Sequence, residues 1–160
     1  MPKQVQPPSP GRYDSPLVLV VDDDRSICEV VEELLTDEGY AVACLNDSTP
    51  EALHETVERL EPDCLLLDSS RIATDYGQSW EEARWLRMRE RPVPVIMFTG
   101  HSAAIGEARV RQTERSRAAV FAGLVLKPFA LDELLETVSK AIAVSATSSA
   151  HSANDPEAPR

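Results

Sequence analysis

Pro62-Asp63-Cys64-Leu65-Leu66-Leu67-Asp68-Ser69-Ser70 is the stretch on which the reading of this chain turns. The run from Cys64 to Leu67 has no polar alternation, the pattern of a strand covered on both faces in the middle of a parallel sheet. It closes on a carboxylate, Asp68, followed by two small hydroxyl residues that can turn the chain. In open α/β sheets ligands bind beyond the carboxyl ends of the strands, so an acid in that place is a candidate site residue.

Working outward, Leu17 to Val21 is a second apolar run, and it closes on Asp22, Asp23 and Asp24. The period then changes. Ile27, Val30, Val31, Leu34 and Leu35 share one helical face, with Gly39 where a left-handed cap is expected. Tyr40 to Leu45 reads as a short strand. Ser48, Thr49, Pro50 and Glu51 open a helix that runs to about Leu60. Beyond the central strand, a polar loop over 69–78 leads to Ser79 and Glu82, whose capping-box spacing starts a helix through Trp80, Ala83, Leu86 and Arg89. Val95 to Phe98 is a strand ending on Thr99 and Gly100. Residues 102–119 read as a weakly patterned helix carrying Arg109, Arg111, Arg115 and Arg117. Leu124 to Leu126 is a strand ending on Lys127 and Pro128, and Leu131, Leu134, Leu135, Val138 and Ile142 make the apolar face of a last helix.

Strands alternating with helices predict an α/β fold: a doubly wound, five-stranded parallel sheet with five helices and right-handed crossovers. The folded domain is expected over 16–144. The proline-rich residues 1–15 read as an unstructured arm, and the Ser- and Ala-rich residues 145–160 as an unstructured tail. With 160 residues and 42% hydrophobic content, one domain and no second is expected. No long apolar run or charged-then-apolar leader is seen, which predicts a cytoplasmic protein with no membrane partner. A net charge of −11 argues against nucleic acid and suits a metal ion or a basic partner. Cys28, Cys44 and Cys64 are read as buried, reduced thiols.

All strand ends of a parallel sheet point to one edge, so Asp22, Asp23, Asp68, Thr99 and Lys127 are expected to converge. Clustered carboxylates repel unless a cation lies among them, and a few hard oxygen ligands favour Mg²⁺. With an amine and a hydroxyl opposite, such a set suits phosphoryl chemistry.

Val20-Val21-Asp22-Asp23-Asp24, Leu65-Leu66-Leu67-Asp68, Val95-Ile96-Met97-Phe98-Thr99-Gly100 and Leu126-Lys127-Pro128-Phe129 resemble, in order, the signatures of the receiver domains of bacterial two-component response regulators. The resemblance implies a flavodoxin-like receiver that is a phosphoacceptor rather than an enzyme acting on other molecules. It implies that Asp68 takes a phosphoryl group from a sensor histidine kinase or phosphotransfer protein. Asp22, Asp23, Asp68 and the backbone carbonyl of Ser70 would hold Mg²⁺; Thr99, Gly100 and Lys127 would bind the phosphoryl group; and the Lys127-Pro128 peptide would be cis. The signal would pass from Thr99 to a downstream protein target. The 102–119 helix, the 124–126 strand and the last helix offer a face for a homodimer.

The chain departs from the family at three places. The turn after Asp68 lacks the usual proline, the segment between Thr99 and Lys127 is longer, and Leu124 stands at a switch position usually held by an aromatic residue. Those departures leave a phosphorylation-independent interaction module as the alternative. Asp22-Asp23-Asp24 is also similar to the opening motif of haloacid dehalogenase-like phosphatases, but that family leaves Asp68 without a role. Asp24 alone reads better as a helix cap, and His54 and His101 read as solvated.

Overall fold

In the computed structural model, which describes residues 15–47, 49–68, 76–100 and 121–153, the apolar runs become β1 (Leu17–Val21), β2 (Ala41–Leu45), β3 (Cys64–Asp68), β4 (Val95–Thr99) and β5 (Gly123–Leu126). They form one sheet in the order β2-β1-β3-β4-β5, with every pairing parallel. The chain steps outward from β1 to β2 and then crosses back to β3, so the winding reverses beside β1. That reversal opens a crevice at the carboxyl ends of β1 and β3.

The described helices are α1 (Arg25–Asp37), α2 (Pro50–Leu60), α3 (Tyr76–Met88) and α4 (Leu131–Ala153). The further helix expected over 102–119 lies outside the described residues. Strand residues alternate between two cores, as the two-residue period requires. Val18, Val20, Leu66, Ile96 and Phe98 pack with Cys28, Val31 and Leu35 of α1 and with Leu134 and Val138 of α4. Leu19, Val21, Leu65, Leu67 and Met97 pack on the opposite face with Leu53 and Val57 of α2 and Ala83 and Leu86 of α3. Helices on both faces explain why β1 and β4 are buried from end to end. Each fully buried Leu, Ile, Val or Phe contributes about 1.5–3 kcal/mol. β2, at the sheet edge, is half-buried throughout.

The caps follow the residue chemistry. Asp24 precedes α1 and its carboxylate accepts from the Ser26 amide at 2.9 Å. Thr49 caps α2, with Pro50 in the first turn. Gly39 adopts φ +92° after α1, and its amide donates to the Thr36 carbonyl. Asp63 ties the strand starts together: its carboxylate accepts from the Leu17 amide and its own amide donates to the Leu17 carbonyl, both at 2.8 Å.

Two boundaries differ from expectation. α3 starts at Tyr76 and not at Ser79, so Ser79 lies within the helix instead of capping it, and the helix ends at Met88. α4 continues past Val144 to Ala153, through residues expected to be unstructured. The expectation weighed only the lack of large apolar residues there. Alanine is the best helix former, no Gly or Pro intervenes, and adding residues to an existing helix costs little.

Candidate functional site

The register of the sheet builds the site. Val21 of β1 pairs with Leu67 of β3, so Asp22 and Asp68, each one residue further, emerge side by side at the same edge. Asp23 follows directly. Ligand oxygens of Asp22, Asp23 and Asp68 all lie within 4.8 Å of one another. The side chains of Asp22 and Asp68 are 1% and 5% exposed, whereas Asp23 faces solvent.

Lys127 supplies the opposing charge. Its amide donates to the Thr99 carbonyl at 2.8 Å, fixing the backbone just beyond β5 against the end of β4. Its side chain crosses the Phe98 ring, with the ammonium 4.6 Å from the centroid. The ammonium reaches Asp22 Oδ2 at 2.5 Å and Asp68 Oδ1 at 3.4 Å. The Lys127-Pro128 peptide is cis, and Phe129 packs in a tilted contact with Phe98 at 5.2 Å.

Asp22 is held from several directions. Its Oδ1 accepts from the Asp24 amide at 2.9 Å, and its carbonyl accepts from Asn46 Nδ2 at 2.8 Å and from the Cys28 thiol at 3.7 Å. Burial raises the carboxyl above its usual range against the pull of Lys127 and the Asp24 amide, and the neighbouring Asp68 pushes the same way as burial. Asp24 turns away from this group to cap α1.

Thr99 is fully buried at the end of β4, opposite Leu126, with Gly100 beside it. Leu124, opposite Met97, is half-buried and packs against the α2–α3 core, on the same sheet face as Thr99. The expected Ser70 carbonyl ligand lies outside the described residues, as do the 69–75 turn, His101 and the arginines over 109–117.

Sequence reasoning missed Asn46 and Phe98. Asn46 follows an edge strand, where an amide reads as a turn former. Phe98 reads as one more core residue in an apolar run. His54 also differs from the solvated side chain expected: its Nε2 lies 2.8 Å from Glu82 Oε2 and its ring stacks on Trp85 at 3.6 Å, clasping α2 to α3. Two helices packed on one sheet face bring those residues together, a pairing invisible in either helix alone.

Three carboxylates offer hard oxygens with no nitrogen or sulfur ligand among them, a donor set that fits Mg²⁺ or another hard divalent cation and not zinc. An ammonium beside them can neutralise an anion held on that cation's far side.

A flavodoxin-like sheet with this acid, hydroxyl and lysine edge defines a receiver-type domain. The chain belongs to the response regulator receiver domain family, whose model matches residues 18–139. It is 37% identical over 124 residues to the response regulator MprA of Mycobacterium leprae, covering 76% of this chain and 48% of that protein. It is 31% identical over 131 residues to the transcriptional regulatory protein ZraR of Escherichia coli O157:H7, covering 82% of this chain and 27% of that one. The chain thus spans about half or less of the length of these relatives. Its fold superimposes on the chemotaxis response regulator CheY4 of Vibrio cholerae with a TM-score of 0.59 at 26% identity, covering 79% of this chain and 98% of that one. Among the described residues no helix is long and apolar enough to cross a membrane.

Proposed function

We propose that this receiver accepts a phosphoryl group on Asp68, from the phosphohistidine of a sensor kinase or phosphotransfer protein, and signals by docking to a protein target. The observation that carries the reading is the Lys127 ammonium, placed between Asp22 and Asp68 where three strands end. Asp68 presents a carboxylate oxygen as nucleophile, and it forms the new O–P bond as the phosphohistidine N–P bond breaks. Lys127 lies close enough to pair with an oxygen of the transferred group. Thr99 and Gly100 stand at the end of the neighbouring strand, where a hydroxyl and an amide suit the remaining oxygens. Asp22, Asp23 and Asp68, with the Ser70 carbonyl as the family implies, would hold Mg²⁺, which would neutralise charge on the group in transfer.

The net charge of −11 supports protein docking over nucleic-acid binding by this domain. Leu126 and Leu131, 37% and 38% exposed, leave apolar surface on the face where a homodimer or target would dock. On this reading the chain turns over no external substrate beyond its own aspartyl phosphate.

Incubation with Mg²⁺ and a small acyl phosphate, followed by intact mass measurement, tests the assignment. The wild type is expected to gain about 80 Da, the mass of one phosphoryl group, and both Asp68→Asn and chelation of the metal to abolish the gain. A wild type that stays unmodified supports the phosphorylation-independent module instead. An adduct unchanged in Asp68→Asn removes Asp68 as the acceptor.

A further inference from the structure

Two cysteines meet beside the acidic cluster, and the phosphoryl chemistry uses neither. Cys28 lies in the first turn of α1 and is 3% exposed. Cys44 lies on β2, the half-buried edge strand. The Cys44 thiol donates to the Cys28 carbonyl, with Sγ 3.7 Å from that oxygen. Asn46 binds this group to the site: its Nδ2 donates to Cys28 Sγ at 3.5 Å and to the Asp22 carbonyl at 2.8 Å.

We propose that Cys28 and Cys44 form a reversible disulfide in response to peroxides, making this edge of the receiver a thiol-based modification site next to Asp22. The exposure pattern supplies the route. A peroxide reaches the pair through Cys44 on the sheet edge, and Cys28 waits behind it. One thiol is oxidised to a sulfenic acid as the peroxide O–O bond breaks and water, or an alcohol from an organic peroxide, departs. The second sulfur then attacks the first, the S–O bond breaks, and a further water leaves with the remaining thiol proton. Two thiols are thus oxidised by two electrons, and the peroxide takes both. Forming the S–S bond of about 2.05 Å requires side-chain rotation that carries Cys44 Sγ from the Cys28 carbonyl to the Cys28 sulfur. Cys64 stands apart: it is fully buried in β3, the central strand, away from the sheet edge.

The inference is independent of the phosphoacceptor reading, and its test uses none of that chemistry. The reduced 160-residue chain is treated with a small excess of hydrogen peroxide, denatured in acid, alkylated and weighed, then mapped by peptides. The expected result is a loss of about 2 Da, alkylation at Cys64 alone, a Cys28–Cys44 linked peptide, and full return of the thiols with dithiothreitol. Cys44→Ser and Cys28→Ala are each expected to abolish the linked peptide without creating one to Cys64. Thiols that remain reduced, unbridged sulfinic acids, or a bridge that includes Cys64 or joins two chains would overturn the proposal.

Discussion

At the scale of single residues, the ends of the strands and their middles face opposite electrostatic problems. Asp22 is a buried acid whose carboxylate is compensated by Lys127 and the Asp24 amide, whereas Cys64 is a buried thiol among hydrocarbons with no cation beside it among the described residues. The Cys64 thiol is raised from 9.0 to about 12, chiefly by desolvation. A group raised on folding holds its proton more tightly in the native state, so its stabilising effect is complete below the unfolded value and is lost as pH climbs through the folded one. Urea midpoints measured from about pH 8 to pH 11 should therefore fall with Cys64 in place. In Cys64→Val that alkaline decline should be shallower, and an identical slope would remove burial of this thiol as its cause. Residues of this kind divide sharply in what the sequence reveals. Asp22, Asp23, Asp68 and Lys127 were legible because each closes an apolar run, and the closing position alone places it at the sheet edge. Asn46 and the His54–Trp85 stack were not, because their partners come from other elements and no local pattern marks them.

Between elements, β5 lies close against α4 at Gly123. A Cβ built on Gly123 would collide with the γ-methyl of Thr137, so the absence of a side chain there lets the last helix lie close against the last strand. Gly123→Ala should destabilise the domain by about 1–3 kcal/mol, the usual cost of overpacking. The double variant Gly123→Ala, Thr137→Ala should recover most of the loss in chemical unfolding. Equal stability of the single variant and the wild type would contradict the close packing. Element types were readable from periodicity, while ends were less so, and α4 shows why. Its core-facing residues Leu134, Val138 and Ala141 stop before Val144, yet the backbone stays helical to Ala153. Burial decides where a helix is held, whereas propensity decides where it stops, and the sequence reading used the first to answer the second. The two-core alternation of the strands, by contrast, follows directly from uninterrupted apolar runs, which can arise only where both faces are covered.

For the molecule as a whole, the acid and lysine edge is assembled from residues far apart in the chain: Asp22 and Lys127 are 105 positions distant, and Asp68 enters between them. Loop closure over such a separation has to be met before the contact rewards it, so the pair is expected to form after the β1–β3 pairing that places the acids. Lys127→Met keeps the aliphatic stem over Phe98 and removes the charge, leaving Asp22 and Asp68 without this ammonium. In the metal-free protein this should speed unfolding by about 10-fold or more while refolding changes little, the signature of an interaction absent from the transition state. Stopped-flow unfolding and refolding limbs measure both, and a slowed refolding limb would place the pair in the folding nucleus.

The same separation has a meaning during synthesis. A ribosome adding roughly 5–20 residues per second delivers Lys127 some 105 residues after Asp22, which is about 5–20 s later. Throughout that interval the nascent chain carries its acids without the lysine, and the mixed-charge edge comes into being only when the fifth strand arrives. Possession of this edge thereby certifies that translation of the domain has run to its last strand.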